Sequence, residues 1–161
     1  PRKNHAYLLD VFDYLWEQGL DVNLTIVGRR GWKVDELIDR IQKHPQYRKK
    51  LFHFDDITDK ELAYCYQQAK MLVFPSIVEG FGLPIIESLN FGLPVLASNT
   101  PVHREVGGEN IAYFDLNDIS SLAEQIIQVE SEGVPKQYQV PADFKWMSWL
   151  ESSEILLQKI I

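Results

Sequence analysis

Short apolar runs alternate along the chain with longer segments whose apolar residues recur at helical spacing. In the first such segment Leu8, Leu9, Phe12 and Leu15 share one face and Gly19 follows as a stop. Strands that alternate with helices indicate a parallel sheet covered by helices on both faces, so we predict a doubly wound α/β domain. The predicted strands are 21–27, 51–54, 71–74, 94–97 and 111–114, and the predicted helices are 4–18, 34–44, 58–69, 84–91, 100–106, 119–132 and 146–160.

Composition narrows the class of protein. The 161 residues, 45% of them hydrophobic, are enough for one globular domain with a substantial core. A net charge of −7 argues against a nucleic-acid surface, and no apolar run approaches the roughly 18 residues that a membrane helix needs. The single cysteine, Cys65, excludes an internal disulfide and offers no metal-ligand cluster. We expect Cys65 to be a small buried residue of a helix rather than a nucleophile.

The segment 79–87 (EGFGLPIIE) carries the most chemistry. It follows the apolar run 71–74, and Pro84 favours the first position of a helix, so the order is strand, glycine turn and helix. Such a turn leaves the backbone N–H groups near Gly82 and Leu83 unpaired at the positive end of a helix. A phosphate group fits that position.

Two carboxylates flank this turn. Glu87 falls one turn into the helix, and Glu79 precedes the glycines. An ionised carboxylate only accepts hydrogen bonds, so hydroxyl groups are its natural partners and phosphate is not. We expect Glu87 to bind a ribose diol and Glu79 to face a second set of hydroxyls. Phosphate between two sets of hydroxyls describes a nucleotide-sugar.

This arrangement resembles the paired-glutamate motif of retaining glycosyltransferases of the GT-B fold, family 4 (group 1). Further matches cover nearly the whole chain in the family's order. The residues 27–32 (VGRRGW) are similar to mannosyltransferases of surface polysaccharide assembly. The other matching segments are 1–4 (PRKN), 25–28 (TIVG), 91–97 (FGLPVLA) and 144–146 (FKW).

The resemblance implies a Rossmann-like C-terminal lobe, with 1–161 a nucleotide-sugar-binding fragment of a two-lobed enzyme and the helix of 142–161 packing toward the missing N-terminal acceptor lobe. It implies transfer of a hexose to a saccharide or lipid-linked acceptor without a metal or cofactor, and the expected donor is GDP-mannose. UDP-linked donors stay open. A cytoplasmic location follows, with peripheral contact at the inner face of the membrane through the missing lobe.

The resemblance also assigns residues. Lys3 would stabilise the departing diphosphate, and Glu79 would contact the sugar. The turn would offer backbone groups at Gly80, Phe81, Gly82 and Leu83, where glycines at 80 and 82 also suit positive φ.

A second group of donor-binding candidates lies outside the turn. Gly28 and Arg29 would lie near the nucleotide, although a solvated basic turn explains them equally well. The backbone of Ile57 would meet the base, and Glu87 would bind the ribose.

For the other candidates we expect structural roles rather than chemical ones. We expect residues 103–105 (HRE) to form a solvated face of a short capped helix. Trp146 and Trp149 are expected on one helical face, packing against the other lobe. The alternative function is a non-catalytic nucleotide-sugar-binding module. A dehydrogenase is disfavoured because no G-x-G-x-x-G turn follows an early strand of this sequence.

Overall fold

The computed structural model describes residues 2–142, 144–146 and 149–160. Helices and strands alternate as predicted, and every described strand pairing is parallel. The strands are β1 (Leu24–Val27), β2 (Leu51–Phe54), β3 (Leu72–Phe74), β4 (Val95–Ser98) and β5 (Ala112–Phe114). The α-helices are α1 (His5–Glu17), α2 (Asp35–Gln42), α3 (Asp59–Gln68), α4 (Leu83–Asn90), α5 (Pro101–Gly107), α6 (Ile119–Glu132) and α7 (Trp149–Ile160).

The strands form two ladders. In one, β1 pairs with β2 from Leu24 opposite Leu51 to Val27 opposite Phe54. In the other, β4 lies between β3 and β5. Among the described residues no strand pairing joins the two ladders, but both contribute to one hydrophobic core together with α1 and α6.

Strand β4 shows that the sheet is covered on both faces. All its residues are buried, yet they divide between two cores. Leu96 packs in the core that contains α1 and α6, whereas Val95 and Ala97 pack in a second core with α4 and α5. Because side chains alternate along a strand, helices must lie on both sides of β4. The predicted doubly wound α/β architecture is confirmed.

Capping explains several helix starts. The side chain of Thr58 accepts a hydrogen bond from the backbone N–H of Glu61, and the carboxylate of Glu61 accepts one from the backbone N–H of Thr58, which forms a capping box at the start of α3. The hydroxyl of Thr100 accepts from the N–H of His103 and the carboxylate of Asp118 accepts from the N–H of Ser120, and these bonds cap α5 and α6.

Some predicted boundaries were wrong. The first strand begins at Leu24 rather than residue 21, and α4 begins at Leu83, which puts Pro84 second. The last described helix begins at Trp149, after two residues outside the described part, so Trp146 precedes it. Cys65 lies in α3 as expected but is half-buried rather than buried. No described helix is both long and apolar enough to cross a membrane.

Candidate functional site

The first residues are tied to the loop after β3. Asn4 takes a left-handed conformation (φ 55) that asparagine tolerates, and α1 begins at the next residue. The backbone N–H of Ile77 donates to the carbonyl of Arg2 at 2.9 Å. This anchor places Lys3 Nζ 2.7 Å from Glu79 Oε1, while Arg2 Nη1 lies 3.8 Å from Glu79 Oε2. The two residues predicted for catalysis therefore meet.

The carboxylate of Glu79 is ionised. Its side chain is only 7% exposed, and burial by itself would raise its pKa. Hydrogen bonds from Lys3 and from the hydroxyl of Ser76 (2.6 Å to Oε1), with the charges of Lys3 and Arg2, outweigh burial and hold the pKa of Glu79 below its ordinary value. Lys3 also lies over the ring of Phe74, with Nζ 4.8 Å from the centroid.

The positive φ predicted for both glycines of the turn is found at one of them. Gly82 takes φ 92, a left-handed conformation that favours glycine, and caps α4 without any side-chain oxygen. Gly80 does not have positive φ, so that part of the prediction is wrong. No described residue accepts a hydrogen bond from the N–H of Gly82 or Leu83. Both donors are thus available at the positive end of α4.

Glu87 is held from the side of α3. The hydroxyl of Tyr66, a buried residue, donates to Glu87 Oε2 at 2.9 Å, and the ring of Tyr66 stacks on Phe91. Burial, and then the contact with Glu87, raise the pKa of Tyr66, so the hydroxyl keeps its proton and remains a donor. One carboxylate oxygen is fixed, and no described residue hydrogen-bonds the other. The sequence analysis did not find Tyr66.

The position of His103 differs from the expected one. It does not lie on a solvated face of α5 but is fully buried, with its ring 5.1 Å from that of Phe74. A Cβ built on Gly82 would lie 3.7 Å from His103 Cδ2, so the imidazole packs directly against the glycine turn. Its Nδ1 contacts the carbonyl of Ser98 at 2.9 Å. Arg104, by contrast, is exposed as expected.

The remaining predicted residues follow strands of the other ladder. Gly28 follows β1, and its N–H donates to the carbonyl of Phe54 at 3.0 Å. Arg29 is exposed and Ile57 is half-buried before α3. Within the described residues, no hydrogen bond, ion pair or ring contact joins Gly28, Arg29 or Ile57 to the glycine turn, and their assignment to the nucleotide stays a prediction.

Aromatic side chains border the turn. Phe81 and Leu83 are exposed, and Trp146 meets the edge of the Phe81 ring with centroids 6.0 Å apart. Trp146 therefore lies before α7 and contacts the turn, which corrects the expectation that it lies on a helical face. In the described part of the chain no group of three histidine, cysteine or acidic side chains is placed to hold a metal ion. Whether the protein works without a metal stays a prediction.

Comparison with known proteins decides the family. The family model for glycosyl transferases group 1 matches residues 1–143. The chain belongs to the group 1 glycosyl transferases. Similar proteins include the serotype-specific mannosyltransferase WbdA of Escherichia coli, 39% identical over 99% of the chain, and the O-antigen chain mannosyltransferase B of Escherichia coli, 35% identical over 80% of the chain.

This glycosyl transferase chain spans 20% of the length of that WbdA protein and 34% of that mannosyltransferase B. The pneumococcal O-GlcNAc transferase GtfA, solved with UDP and GlcNAc, superimposes with a TM-score of 0.77 at 20% identity, covering 99% of this chain and 33% of that one. Sucrose-phosphate synthase from Thermosynechococcus elongatus superimposes with a TM-score of 0.73 at 24% identity, covering 99% and 42%. These likenesses confirm the predicted Rossmann-like lobe of a GT-B fold.

Proposed function

We propose that this chain is the donor-binding lobe of a retaining hexosyltransferase, with GDP-mannose as donor and a saccharide or lipid-linked acceptor. The observation that carries the proposal is the glycine turn flanked by two oriented carboxylates, with Lys3 held beside Glu79 at 2.7 Å. The likeness to mannosyltransferases supports mannose as the hexose. Intact Lys3 and Glu79 argue against a module that only binds nucleotide-sugar.

Each group has a chemical task in this proposal. The N–H groups of Gly82 and Leu83 hold the diphosphate at the positive end of α4. The free oxygen of Glu87 accepts from a ribose hydroxyl, and Glu79 accepts from a hexose hydroxyl. Lys3 is a mobile cation that stabilises negative charge on the diphosphate as the glycosidic bond breaks.

Lys3 therefore exchanges one partner for another. Without donor its charge is balanced by Glu79. A bound diphosphate offers a stronger negative charge, so Lys3 turns toward it and Glu79 loses one hydrogen bond on the atom Oε1. This exchange prepares the leaving group, and the negative charge of Glu79 is then available to the hydroxyl groups of the sugar.

An N-terminal acceptor lobe, which we propose as the partner of this chain, completes the other wall of the cleft. We further propose that the enzyme acts in the cytoplasm at the inner face of the membrane and needs no metal or cofactor. Gly28, Arg29 and Ile57 would line the nucleotide end of the cleft, and Gly80 and Phe81 the sugar end.

Binding and turnover test the proposal separately. We expect calorimetry to show weak binding of GDP to the 161-residue chain, weaker binding of UDP, and tighter binding of GDP-mannose than of GDP. We expect no transfer to a saccharide acceptor, because one wall of the cleft is absent. Transfer by the chain alone would refute the need for a second lobe. Absence of binding by any nucleoside diphosphate would refute the donor site itself.

A further inference from the structure

Buried polar side chains are concentrated behind Glu79. In the described part of the chain the buried polar residues are Ser76, Ser88, Ser98 and His103. Burial of a polar group costs free energy unless a hydrogen bond compensates, so a cluster of such groups needs a reason. Ser76, Ser98 and His103 are linked in series, and we call them the buried relay.

The relay leads from α5 to the carboxylate. Nδ1 of His103 lies 2.9 Å from the carbonyl of Ser98, and the hydroxyl of Ser98 donates to the carbonyl of Ser76 at 2.5 Å. The hydroxyl of Ser76 lies 2.6 Å from Glu79 Oε1, closer than its other acceptors, the carbonyls of Arg2 and Val78 at 3.1 and 3.3 Å.

The direction of each hydrogen bond is set by its acceptor. A carbonyl oxygen only accepts, so Nδ1 of His103 carries the proton in its bond to Ser98. Each serine hydroxyl has a single proton, which Ser98 gives to the carbonyl of Ser76 and Ser76 gives to the ionised carboxylate. The hydroxyl oxygen of Ser98 also lies 3.0 Å from Nδ1 of His103 and accepts from the same N–H. Every bond in the series is therefore satisfied in one arrangement, and the arrangement ends on Glu79.

The relay and Lys3 hold the same atom of Glu79. Both Ser76 and Lys3 bond to Oε1, whereas the other oxygen, Oε2, has Arg2 at 3.8 Å as its one partner among the described residues. Lys3 is 38% exposed and can move to a bound diphosphate, whereas Ser76 is fully buried and stays. After Lys3 leaves, Ser76 is the group that keeps Oε2 directed at the site.

The relay also contacts the glycine turn. His103 packs against Gly82, and its Nε2 is the buried side-chain nitrogen without a hydrogen-bond partner in the described residues. The imidazole therefore connects the base of the turn with the support of Glu79. A rigid connection of this kind fixes the distance between the phosphate position and the carboxylate.

We propose that the buried relay positions Glu79, so that Oε2 receives a hydroxyl of the donor hexose. Ser76, Ser98 and His103 are positioning residues and do not touch the donor themselves. The inference rests on the proposed function, because it takes Glu79 as the group that recognises the sugar.

Calorimetry on the 161-residue chain tests the relay with two ligands, GDP and GDP-mannose. The readout is the ratio of their dissociation constants, which a uniform loss of stability does not change. We expect Ser76→Ala to reduce the advantage of GDP-mannose about three- to tenfold and to leave GDP binding unchanged, because one hydrogen bond to the carboxylate is lost. Ser98→Ala should act in the same direction with a smaller effect.

Ser88→Ala is the matched control. Ser88 is equally buried, but its hydroxyl donates to the carbonyl of Leu93 at 3.1 Å, away from Glu79. We expect Ser88→Ala to lower the unfolding temperature without changing the ratio. An equal change of the ratio in the Ser76 and Ser88 variants would overturn the relay, since loosened packing would then explain both.

A double-mutant cycle with Glu79→Ala separates the relay from the proposed function. If Ser76 acts through Glu79, adding Ser76→Ala to Glu79→Ala causes no further change in the ratio. A full additional change overturns the relay. If Glu79→Ala lowers the ratio and Ser76→Ala does not, the relay fails and the proposed role of Glu79 stands. If Glu79→Ala leaves the ratio unchanged, both fail.

Discussion

The two glutamates of the site are supported from different elements, which predicts a division of labour between them. Tyr66 of α3 orients Glu87, whereas Ser76 and Lys3 orient Glu79. We expect Glu87→Ala to weaken GDP itself by about ten- to hundredfold, the effect of losing a hydrogen bond to a charged group. Glu79→Ala should chiefly weaken the contribution of mannose. Calorimetry with GDP and GDP-mannose measures both, and equal losses for both ligands in both variants would contradict the division.

Lys3 is expected to act through its charge. We predict that Lys3→Ala weakens GDP binding by about tenfold and makes the remaining affinity less sensitive to salt, because screening acts on the electrostatic part. Dissociation constants at two salt concentrations measure both effects. Lys33→Ala is the control, since Lys33 is paired with the exposed ring of Trp32 and not with Glu79. An unchanged salt dependence in the Lys3 variant would contradict the assignment.

Individual residues were predicted correctly where a family motif named them, and less well where the spacing of buried positions was the signal. Lys3 and Glu79 were predicted from motif resemblance, and the structure brings them together. The burial of His103 was missed because its polarity was weighed above its position. His103 and Val106 are three apart on α5 and share its buried face, so helical periodicity was the available signal.

At the scale of elements, the turn into α4 should be the least tolerant part of the site. We predict that Gly82→Val abolishes GDP binding and leaves the fold largely intact, because a β-branched residue fits poorly at φ 92 and its methyl groups would crowd the phosphate position. Calorimetry and circular dichroism check the two halves. Gly133→Val, at a similarly positive φ of 82 beyond α6, controls for backbone strain alone. Parent-like binding by the Gly82 variant would remove the phosphate site from α4.

Element types followed from local signals, whereas some boundaries needed tertiary information. Capping residues marked α3 and α5 because they satisfy free N–H groups within a few residues, whereas α6 was predicted from its amphipathic spacing. The start of β1 could not be predicted from its own residues. It begins at Leu24, where Leu51 of β2 begins to pair with it, and that partner is 27 positions away. The short 3-10 helix Lys136–Tyr138 in the link after α6 was likewise not predicted.

Across the whole molecule, burial leaves two histidines that resist protonation. Burial, with smaller contributions from Lys3 and other cationic groups, lowers the pKa of His5. Burial also lowers the pKa of His103, against opposing effects of the Ser98 carbonyl and Glu79. In the unfolded chain both would titrate near the ordinary value of 6.5. These two histidines therefore bind fewer protons in the folded protein than in the unfolded chain just below pH 6.5.

This difference predicts how stability depends on pH. Well above pH 6.5 both histidines are neutral in the folded and in the unfolded state, so their protonation does not oppose folding. As pH falls from 6.5 toward the lowered folded pKa values, the unfolded chain gains protons first, and each histidine costs up to about 1.4 kcal/mol of unfolding free energy per pH unit. Urea denaturation between pH 7.5 and 5 measures this slope, above the range where most carboxylates titrate.

The variant His103→Phe isolates one of the two contributions. Phenylalanine keeps a ring against Phe74 but cannot titrate, so the lost hydrogen bond to Ser98 lowers stability by an amount that does not change with pH. We expect the parent to lose roughly 1 kcal/mol more than this variant between pH 7.5 and 5.5. Parallel curves for the two proteins would show that His103 takes up a proton in the folded state as readily as in the unfolded chain. That result would contradict the conclusion that the imidazole of His103, at the base of the glycine turn, is neutral in the folded protein.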